Sequence, residues 1–419
     1  MLQSKLFTKT QKEVPGGETS AGAQYLLRGG FIDKLSAGIY TILPLGLRVL
    51  RNIENIIVAE MDALGAQRVL MPALTPKANW ETTGRWQGFD VLYKVKSQQE
   101  SEYALGATHE EVVTPLAQRF AFSYKDFPFS IYQIQEKFRD ELRAKSGLLR
   151  GREFLMKDLY SFHIDPKDCD EFYEKVRESY FSIYKAVGIS QSTYVTLASG
   201  GTFSKFSHEF QTVTEVGEDT IYLCDNCGLA INREIKNDYP KCPDCGGQNF
   251  DEKRSVEVGN IFKLGTKYSG EFGFTASGAT GEKLPVLMNC YGIGLTRMMG
   301  TIAEIRHDDK GIVWPDAVAP FRVHLLALAA KDTEVNEKIV QVSRNIYSDL
   351  QKRGIEVIYD DRQAMSDGEK FNDADLLGMP FRVVVSQRTL AQNCVEIKRR
   401  DSKDATLVKM GELANIIIN

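Results

Sequence analysis

No stretch of this sequence approaches the ~20 consecutive apolar residues that crossing a bilayer takes, which excludes a membrane-spanning helix. An apolar secretion core is missing as well. The first residues, MLQSKLFTKTQKE, are polar, and the chain reads as cytoplasmic. A dominant charge is also lacking: 52 Lys+Arg against 56 Asp+Glu give a net charge of −4. Overall charge therefore announces no nucleic-acid partner, and any such contact has to rest on local patches. Seven cysteines, an odd count without a secretion signal, argue against a disulfide framework. Internal repeats and low-complexity tracts are absent. What is present is a 419-residue chain, 43% hydrophobic and 26% charged, the balance of a soluble globular protein and enough for two or three domains.

Residues Gly46 to Leu64 carry Leu47, Leu50, Ile53, Ile57, Met61 and Leu64 at steps of three and four, the period of one helix face. In the following GAQRVLMPAL, Arg68 to Met71 read as a short strand stopped by Pro72. IYQIQEKFRDEL and REFLMKDLYSFH, between Ser130 and His163, predict two antiparallel strands joined by the basic, glycine-containing loop RAKSGLLRG. Asp165-Pro166 supply a cap and first-turn proline for a helix to Gly188, with Phe172, Val176, Tyr180 and Tyr184 at a step of four. IFKLGTKYS and PVLMNCYG are strand-like, and GIGLTRMMGTIAEI turns from strand into helix. Beyond WPDAVAP the order is strand (323–329), helix (333–353), strand (356–359), helix (369–377), two strands (382–385 and 395–398) and helix (409–418). That alternation predicts a compact α/β domain. The expected organisation is an α+β domain with an antiparallel sheet over residues 1–217 and 259–316, a small insert over 218–258, and a C-terminal α/β domain over 317–419.

Arginines dominate the motifs. FRDE at 138–141 sets Arg139 and Glu141 two apart, on one face if a strand runs through them. A guanidinium fork suits a phosphate, although FRDE alone reads first as a surface ion pair. REF at 152–154 adds Phe154, a ring that can stack on a base, with Arg150 and Arg152 close by. YGIGLTR at 291–297 adds Arg297 behind two glycines that permit close backbone approach; its plainer reading is a tight packing turn between strand and helix. CDNC at 224–227 and CPDC at 242–245 lie 14 residues apart, each followed by glycine. This two-knuckle spacing matches a structural zinc site of four thiolates, Cys224, Cys227, Cys242 and Cys245, with a lost metal or iron as the alternatives.

The helix–strand ending at Pro72, the FRDE hairpin with Phe154 and the GIGLTR segment occur in the order of the three signature motifs of class II aminoacyl-tRNA synthetases, and resemble them. LGATHEEVVTPLA (105–117), LLRGREFLMKDLYSFH (148–163), SHEFQ (207–211), EVGNIFKLGTKYS (257–269), MNCYGIGLTR (288–297), GIVWPDAVAPF (311–321) and DDR…KFNDADLLGMPFRVVV (360–385) narrow the resemblance to bacterial-type prolyl-tRNA synthetases, over essentially the whole chain outside the cysteine insert.

The resemblance implies ATP with Mg2+, L-proline and tRNA(Pro) as ligands, and a prolyl-adenylate as intermediate. It implies that Arg139 holds the α-phosphate, Glu141 orients the adenine amino group, Phe154 and Arg297 sandwich the adenine, and Arg150 and Arg297 reach the γ-phosphate. Gln211 is expected on the ribose or adenine side and Glu209 as a Mg2+ ligand. For the proline ring nitrogen, a secondary ammonium with two N–H donors, it implies Thr108 and Glu110 as acceptors, with Met156, His163 and His208 around the ring. Both histidines read equally well as structural. Asp360, Asp361, Arg362 and Lys370 fall where the family approaches anticodon bases, and KRR at 398–400 reads as a phosphate contact or a solvated face. Ala107, Asn289 and the GGTFSKFSHEF stretch depart from the usual pattern, and the last unsettles where the loop over the proline pocket lies.

Only about 45 residues separate HEFQ from EVGNIF, so a large editing domain between the second and third signature motifs is not expected. A proline pocket rejects the smaller alanine by only about 1–3 kcal/mol per missing methylene, so editing, if it is done at all, is expected from a separate protein. The resemblance also implies a homodimer. Two rivals stand beside this reading: a synthetase-like binding protein that has lost catalysis, and a class II synthetase for another amino acid such as threonine.

Overall fold

The computed structural model describes residues 1–13, 18–201, 203 and 206–418. These form two compact units, one of residues 35–40 and 53–301, the other of residues 1–34, 41–52 and 302–419.

The first unit is built on a nine-stranded sheet. Its strands are β1 (Gln67–Arg68), β2 (Phe129–Phe138), β3 (Glu153–His163), β4 (Thr193–Ser199), β5 (Phe206–Val213), β6 (Asp219–Cys224), β7 (Ala230–Asn232), β8 (Phe250–Gly265) and β9 (Leu287–Gly294). The order is β5-β4-β7-β6-β8-β9-β3-β2-β1, with β5 also pairing β8. All pairs are antiparallel except β7 with β4 and β1 with β2. The expected hairpin is β2 with β3, in register from Phe129↔Phe162 to Phe138↔Glu153. The expected strand after the first long helix is shorter than read: β1 covers two residues, because Met71 turns its amide to the Gln133 side chain instead of the ladder.

Helix α1 (Pro44–Ala63) buries Ile53, Ile57 and Met61 as the period requires. Helix α2 (Glu110–Gln118) starts inside LGATHEE. Helix α3 (Pro166–Ala186) is capped by Asp165, which accepts the Lys167 amide at 2.9 Å. Its Tyr173, Val176, Tyr180 and Tyr184 are buried against one face of the sheet, with Tyr180 and Tyr184 against Phe210. Each such buried side chain is worth about 1.5–3 kcal/mol. The approach is close enough to need glycine: a Cβ on Gly259 would lie 2.3 Å from the Tyr184 hydroxyl. Helix α4 (Leu295–Ile305) follows β9 directly.

The segment 218–258 is threaded into this sheet. It supplies β6, β7 and the first half of β8; Cys224 ends β6, and Cys227, Cys242 and Cys245 lie in the turns that connect these strands.

The second unit holds a five-stranded sheet of β10 (Val323–Ala327), β11 (Val357–Asp360), β12 (Phe381–Val385), β13 (Cys394–Arg399) and β14 (Ala405–Lys409), ordered β11-β10-β12-β13-β14. Helices α5 (Thr333–Lys352) and α6 (Asp367–Leu377) lie between its parallel strands in the chain. The α/β alternation is as expected. The strand β14 is not: the exposed edge run ATLVK carries no alternating apolar signal, and the final helix starts only at Leu413. The N-terminus belongs to this unit, where the Gln3 side chain bonds His324 at 2.7 Å and Ser4 bonds Asp361 through its amide (2.9 Å) and hydroxyl (2.7 Å).

Candidate active site

Two cavities open on one face of the nine-stranded sheet and meet at Arg139 and Glu141, which line both. The first, about 290 Å³, is polar. Arg139, Arg150 and Arg297 share it with Glu141, Glu209, Glu218, Asp219, Glu234 and Glu257. The second, about 190 Å³, is walled by Phe89, Val91, Met156, Tyr160, Phe203 and Phe262, with Thr108 and Glu110 at its polar end.

Arg139 and Glu141 do not sit on a strand, as the two-residue spacing suggested. The β2–β3 ladder ends at Phe138, and the chain then turns, the Glu141 amide donating to the Arg139 carbonyl at 2.7 Å. Glu141 accepts Arg150 through Nε (2.9 Å) and Nη2 (2.7 Å), and Arg150 also bonds Glu218. Arg297, in the first turn of α4, donates to the Glu257 carbonyl (2.8 Å) and carboxylate (3.2 Å). Arg139 differs. Among the described residues it has no ion pair, only a long bond from Nε to the Ala107 carbonyl (3.4 Å), and its guanidinium lies 5.2 Å from the Phe154 ring centroid. Burial, and then the nearby Arg297, hold it below the usual arginine range. A desolvated cation beside a second cation is a site for an anion.

Gln211 is fully buried and bridges Glu209 and Asp219 at 2.9 Å each. Glu209 also accepts the Asn232 amide at 3.2 Å, and burial followed by the Glu257 charge pushes its carboxyl up to about 8. The insert thus supplies Glu218, Asp219, Asn232 and Glu234 to the cavity wall. The sequence showed none of them, because the pairing of β6 and β7 with the rest of the sheet is nonlocal.

At the apolar cavity, the Thr108 hydroxyl donates to Glu110 at 2.5 Å. Sequence reading missed Arg85. Its Nη1 reaches Glu110 (3.3 Å) and both oxygens of Glu111 (3.0 and 3.2 Å) from within a ring of aromatic side chains.

Met156 lines the cavity, but His163 and His208 do not. On β3, Met156, Asp158 and Tyr160 line the cavity, Phe154 shares their strand face but lines neither cavity, and His163, seven residues from Met156, faces the other way. It bonds Asp168 at 2.5 Å, below α3's first turn. On β5, Glu209 faces the cavity side while His208 faces α3 and bonds Tyr173 at 2.7 Å. Within GGTFSKF, Thr202, Ser204 and Lys205 lie outside the described residues. Asn289 bonds the Cys169 sulfur at 3.1 Å under α3, and Ala107 is fully buried.

Burial first, with nearby cations, lowers His109 and His208 to about 4, and burial does the same to His324. A histidine titrating near 6.5 unfolded and near 4 folded takes its proton preferentially in the unfolded chain. Stability is therefore lost as pH falls from about 6.5 to 4, by about 2 kcal/mol per histidine at pH 5. Urea unfolding at pH 7.5 and 5 checks this; equal midpoints would contradict it, and His324→Gln should flatten part of the slope.

All four sulfurs of Cys224, Cys227, Cys242 and Cys245 lie within 4.8 Å of one another, the closest pairs at 3.5 and 3.6 Å. Tetrahedral Zn–S bonds of ~2.3 Å need sulfurs about 3.8 Å apart. Amides of Asn226 and Cys227 point at the Cys224 sulfur and hold it down to about 7, while the crowding of the sulfurs pushes Cys227 and Cys245 up. Gly228 (φ 76°) and Gly246 (φ 72°) make the left-handed turn that closes each knuckle. Among the described residues this is the group with metal-ligand geometry. The carboxylates around Glu209 do not converge that closely.

In the second unit, Arg362 forks onto Asp360 (2.8 and 2.7 Å) and reaches Asp373 (2.8 Å). Lys370 is buried and donates to the Ala327 carbonyl at 2.6 Å. In KRR, Arg399 pairs with Asp316 and Asp401, and Arg400 forks onto Asp308 at 2.6 Å. These cations are engaged within their own unit.

Residues 93–306 match the tRNA synthetase class II core domain (G, H, P, S and T), and residues 322–419 match an anticodon binding domain. Proline--tRNA ligase of Rickettsia akari (strain Hartford) is 37% identical over 433 residues, covering 100% of both chains. The chain belongs to the proline–tRNA ligase family. The ligase of Wolbachia pipientis wMel is 37% identical over 428 residues, 99% of each chain. That of Dehalococcoides mccartyi (strain CBDB1) is 32% identical, but its alignment runs over 567 positions against 419 residues here, so this chain is a short form of the family. Solved structures of prolyl-tRNA synthetases share the fold. The Giardia lamblia enzyme in complex with prolyl-adenylate aligns with a TM-score of 0.78 at 19% identity, covering 94% of this chain and 75% of that one. The Cryptosporidium parvum enzyme complexed with L-proline and AMP gives 0.77 at 20%, covering 95% and 74%.

Proposed function

We propose that this chain joins L-proline to ATP as prolyl-adenylate, releasing pyrophosphate, and passes the prolyl group to the terminal ribose of tRNA(Pro), releasing AMP. The observation that carries this reading is the junction of the two cavities at Arg139. An anion compartment and a small apolar compartment with a buried carboxylate at its end share one uncompensated guanidinium. A proline carboxylate seated there faces an α-phosphate across Arg139, so attack needs positioning and charge stabilisation more than a protein nucleophile. Glu110 and Thr108 accept the two ring N–H groups, and Met156 packs on the ring. Phe154 stacks on adenine, whose amino group meets Glu141. Arg150 and Arg297 exchange their carboxylate partners for the β- and γ-phosphates. Gln211 positions Glu209. Glu209 and Glu257 would offer oxygens to Mg2+, which would supply charge neutralisation there. Proline-dependent ATP–pyrophosphate exchange across a panel of amino acids tests the reading, and exchange supported by threonine or by none would overturn it.

The knuckle holds zinc as a structural ion on this reading. Cys242→Ser is expected to abolish stoichiometric zinc in the purified protein and to lower the thermal midpoint by about 5 °C or more. Metal analysis and a melt check both; retained zinc with an unchanged midpoint would contradict the assignment.

The C-terminal domain takes the anticodon arm. Asp361 and Arg362 follow the carboxyl end of β11, where parallel α/β sheets form ligand crevices, and Asp360 and Lys370 fix that segment from within. A homodimer forms at the β1 edge, where Leu70, Phe120 and Phe122 are 75%, 75% and 62% exposed. No helix among the described residues is long and apolar enough to cross a membrane, and the enzyme acts in the cytoplasm with its tRNA. Alanyl-tRNA(Pro) is cleared by a separate protein; efficient deacylation by the purified chain alone would refute that.

A further inference from the structure

We propose that Arg85 is a positioning residue that sets the charge of the amine subsite. It offsets one of two adjacent carboxylates, Glu110 and Glu111, so that the subsite presents one net negative charge to one ammonium group. This rests on the reading of Glu110 as the acceptor of the substrate nitrogen.

A buried arginine beside a site for a cation needs a reason. Glu110 and Glu111 are consecutive at the start of α2 and nearly inaccessible, at 1% and 0% exposure. Two ionised carboxylates there would repel each other in a dry environment. Arg85 Nη1 bonds both, while its Nε and Nη2 have no hydrogen-bond partner. The guanidinium plane is held instead by rings, with centroids of Phe89 and Phe203 at 4.2 and 4.8 Å and those of Trp80 and Tyr268 at 5.6 and 5.7 Å. Phe89 and Phe203 are also walls of the apolar cavity, so the cation is fixed by the same surface that receives the substrate ring.

With both carboxylates ionised, as they are above about pH 7, one guanidinium and two carboxylates sum to −1. Burial first, and repulsion from Glu110, push Glu111 up to about 7 against the pull of Arg85. Among the described residues Arg85 is the cation bonded to these carboxylates, with Lys267 acting on both from a distance, and a secondary ammonium bonded to Glu110 supplies a second bonded positive charge. Glu111 touches Arg85 and the Thr83 hydroxyl (2.8 Å) and does not line the cavity, so its effect on substrate runs through charge.

Charge balance and simple structural support predict opposite results in one double-mutant cycle, read as KM for proline and KM for ATP in pyrophosphate exchange. Glu111→Gln leaves a neutral cluster and is expected to raise KM for proline about tenfold, with KM for ATP unchanged. Arg85→Gln leaves two carboxylates in the rings and is expected to raise it at least as much. The double variant Arg85→Gln/Glu111→Gln returns the cluster to −1 and is expected to recover most of the loss of Arg85→Gln. A double variant as impaired as Arg85→Gln, or worse, overturns the proposal, because a structural role only accumulates damage. So does an unchanged KM in Glu111→Gln, which decides the matter alone if Arg85→Gln does not fold. Wild-type protein that gives no proline-dependent exchange fails the functional reading instead, before any variant is compared.

Discussion

Arg139→Gln is expected to lower kcat/KM for proline-dependent pyrophosphate exchange by about 10²–10³-fold, the cost of removing one preorganised donor from a site of developing charge. The same substitution is expected to leave folding stability unchanged or slightly raised. Arg139 is half-buried, and among the described residues it has no carboxylate partner, so its removal orphans no charge. Structures that hold an uncompensated cation accept a stability cost for function. Arg139→Lys is not expected to restore activity. A lysine ammonium lacks the planar fork that can hold a phosphate oxygen and a carboxylate oxygen together. Steady-state exchange kinetics and urea denaturation of the same preparations check both halves. Loss of stability in parallel with activity would move Arg139 from the chemistry to the scaffold.

The elements around this arginine were legible in the sequence to different depths. The β2–β3 hairpin, α3 and the alternating C-terminal domain follow from short-range periodicity, and the structure has them close to where the period puts them. The end of β2 does not follow. Nothing in FRDE says that the ladder stops at Phe138: the Arg139 amide still bonds the Arg152 carbonyl, but the Arg152 amide donates to the distant Gly38 carbonyl instead of returning the bond. The pairing of Arg139 with Glu141 in both cavities survives for a different reason than strand alternation. Alternation, in turn, was available to separate His163 and His208 from the cavity. Met156 and His163 differ by an odd number, as do His208 and Glu209, and β-strands put such pairs on opposite faces. Arg85 was beyond reach. One arginine in ETTGRWQGF means little until Phe89, Phe203 and Tyr268 close around it, and those contacts span nearly two hundred residues.

The same alternation defines the second large effect. Lys137 and Asp158 face each other inside the hairpin, Nζ to Oδ1 at 2.8 Å, with Lys137 wholly inaccessible. Lys137 Nζ also lies 2.6 Å from His109 Nδ1, so that nitrogen is the acceptor and Nε2–H donates to the Pro72 carbonyl at 3.0 Å. The other oxygen of Asp158 accepts Gln133 (3.0 Å) and the Tyr160 hydroxyl (2.9 Å). Burial opposes the Asp158 charge, yet Lys137 and the bonds around it hold its carboxyl below the usual range. Lys137→Met strands that charge, and is expected to cost about 3–5 kcal/mol of stability at neutral pH. The loss should shrink toward acid pH, where Asp158 takes a proton. Lys137→Met/Asp158→Asn removes the stranded charge and should regain most of it, since an apolar or neutral replacement of both partners costs far less than breaking one. Urea unfolding of the three proteins at pH 7.5 and 5.5 checks the cycle. Equal losses in the single and double variants would mean that Lys137 contributes packing rather than charge. Asp158 also lines the apolar cavity, so its carboxylate is compensated by Lys137 from behind, as Glu111 is by Arg85. On the proposed reading, the two buried cations offset Asp158 and Glu111 and leave Glu110 as the carboxylate available to a substrate nitrogen.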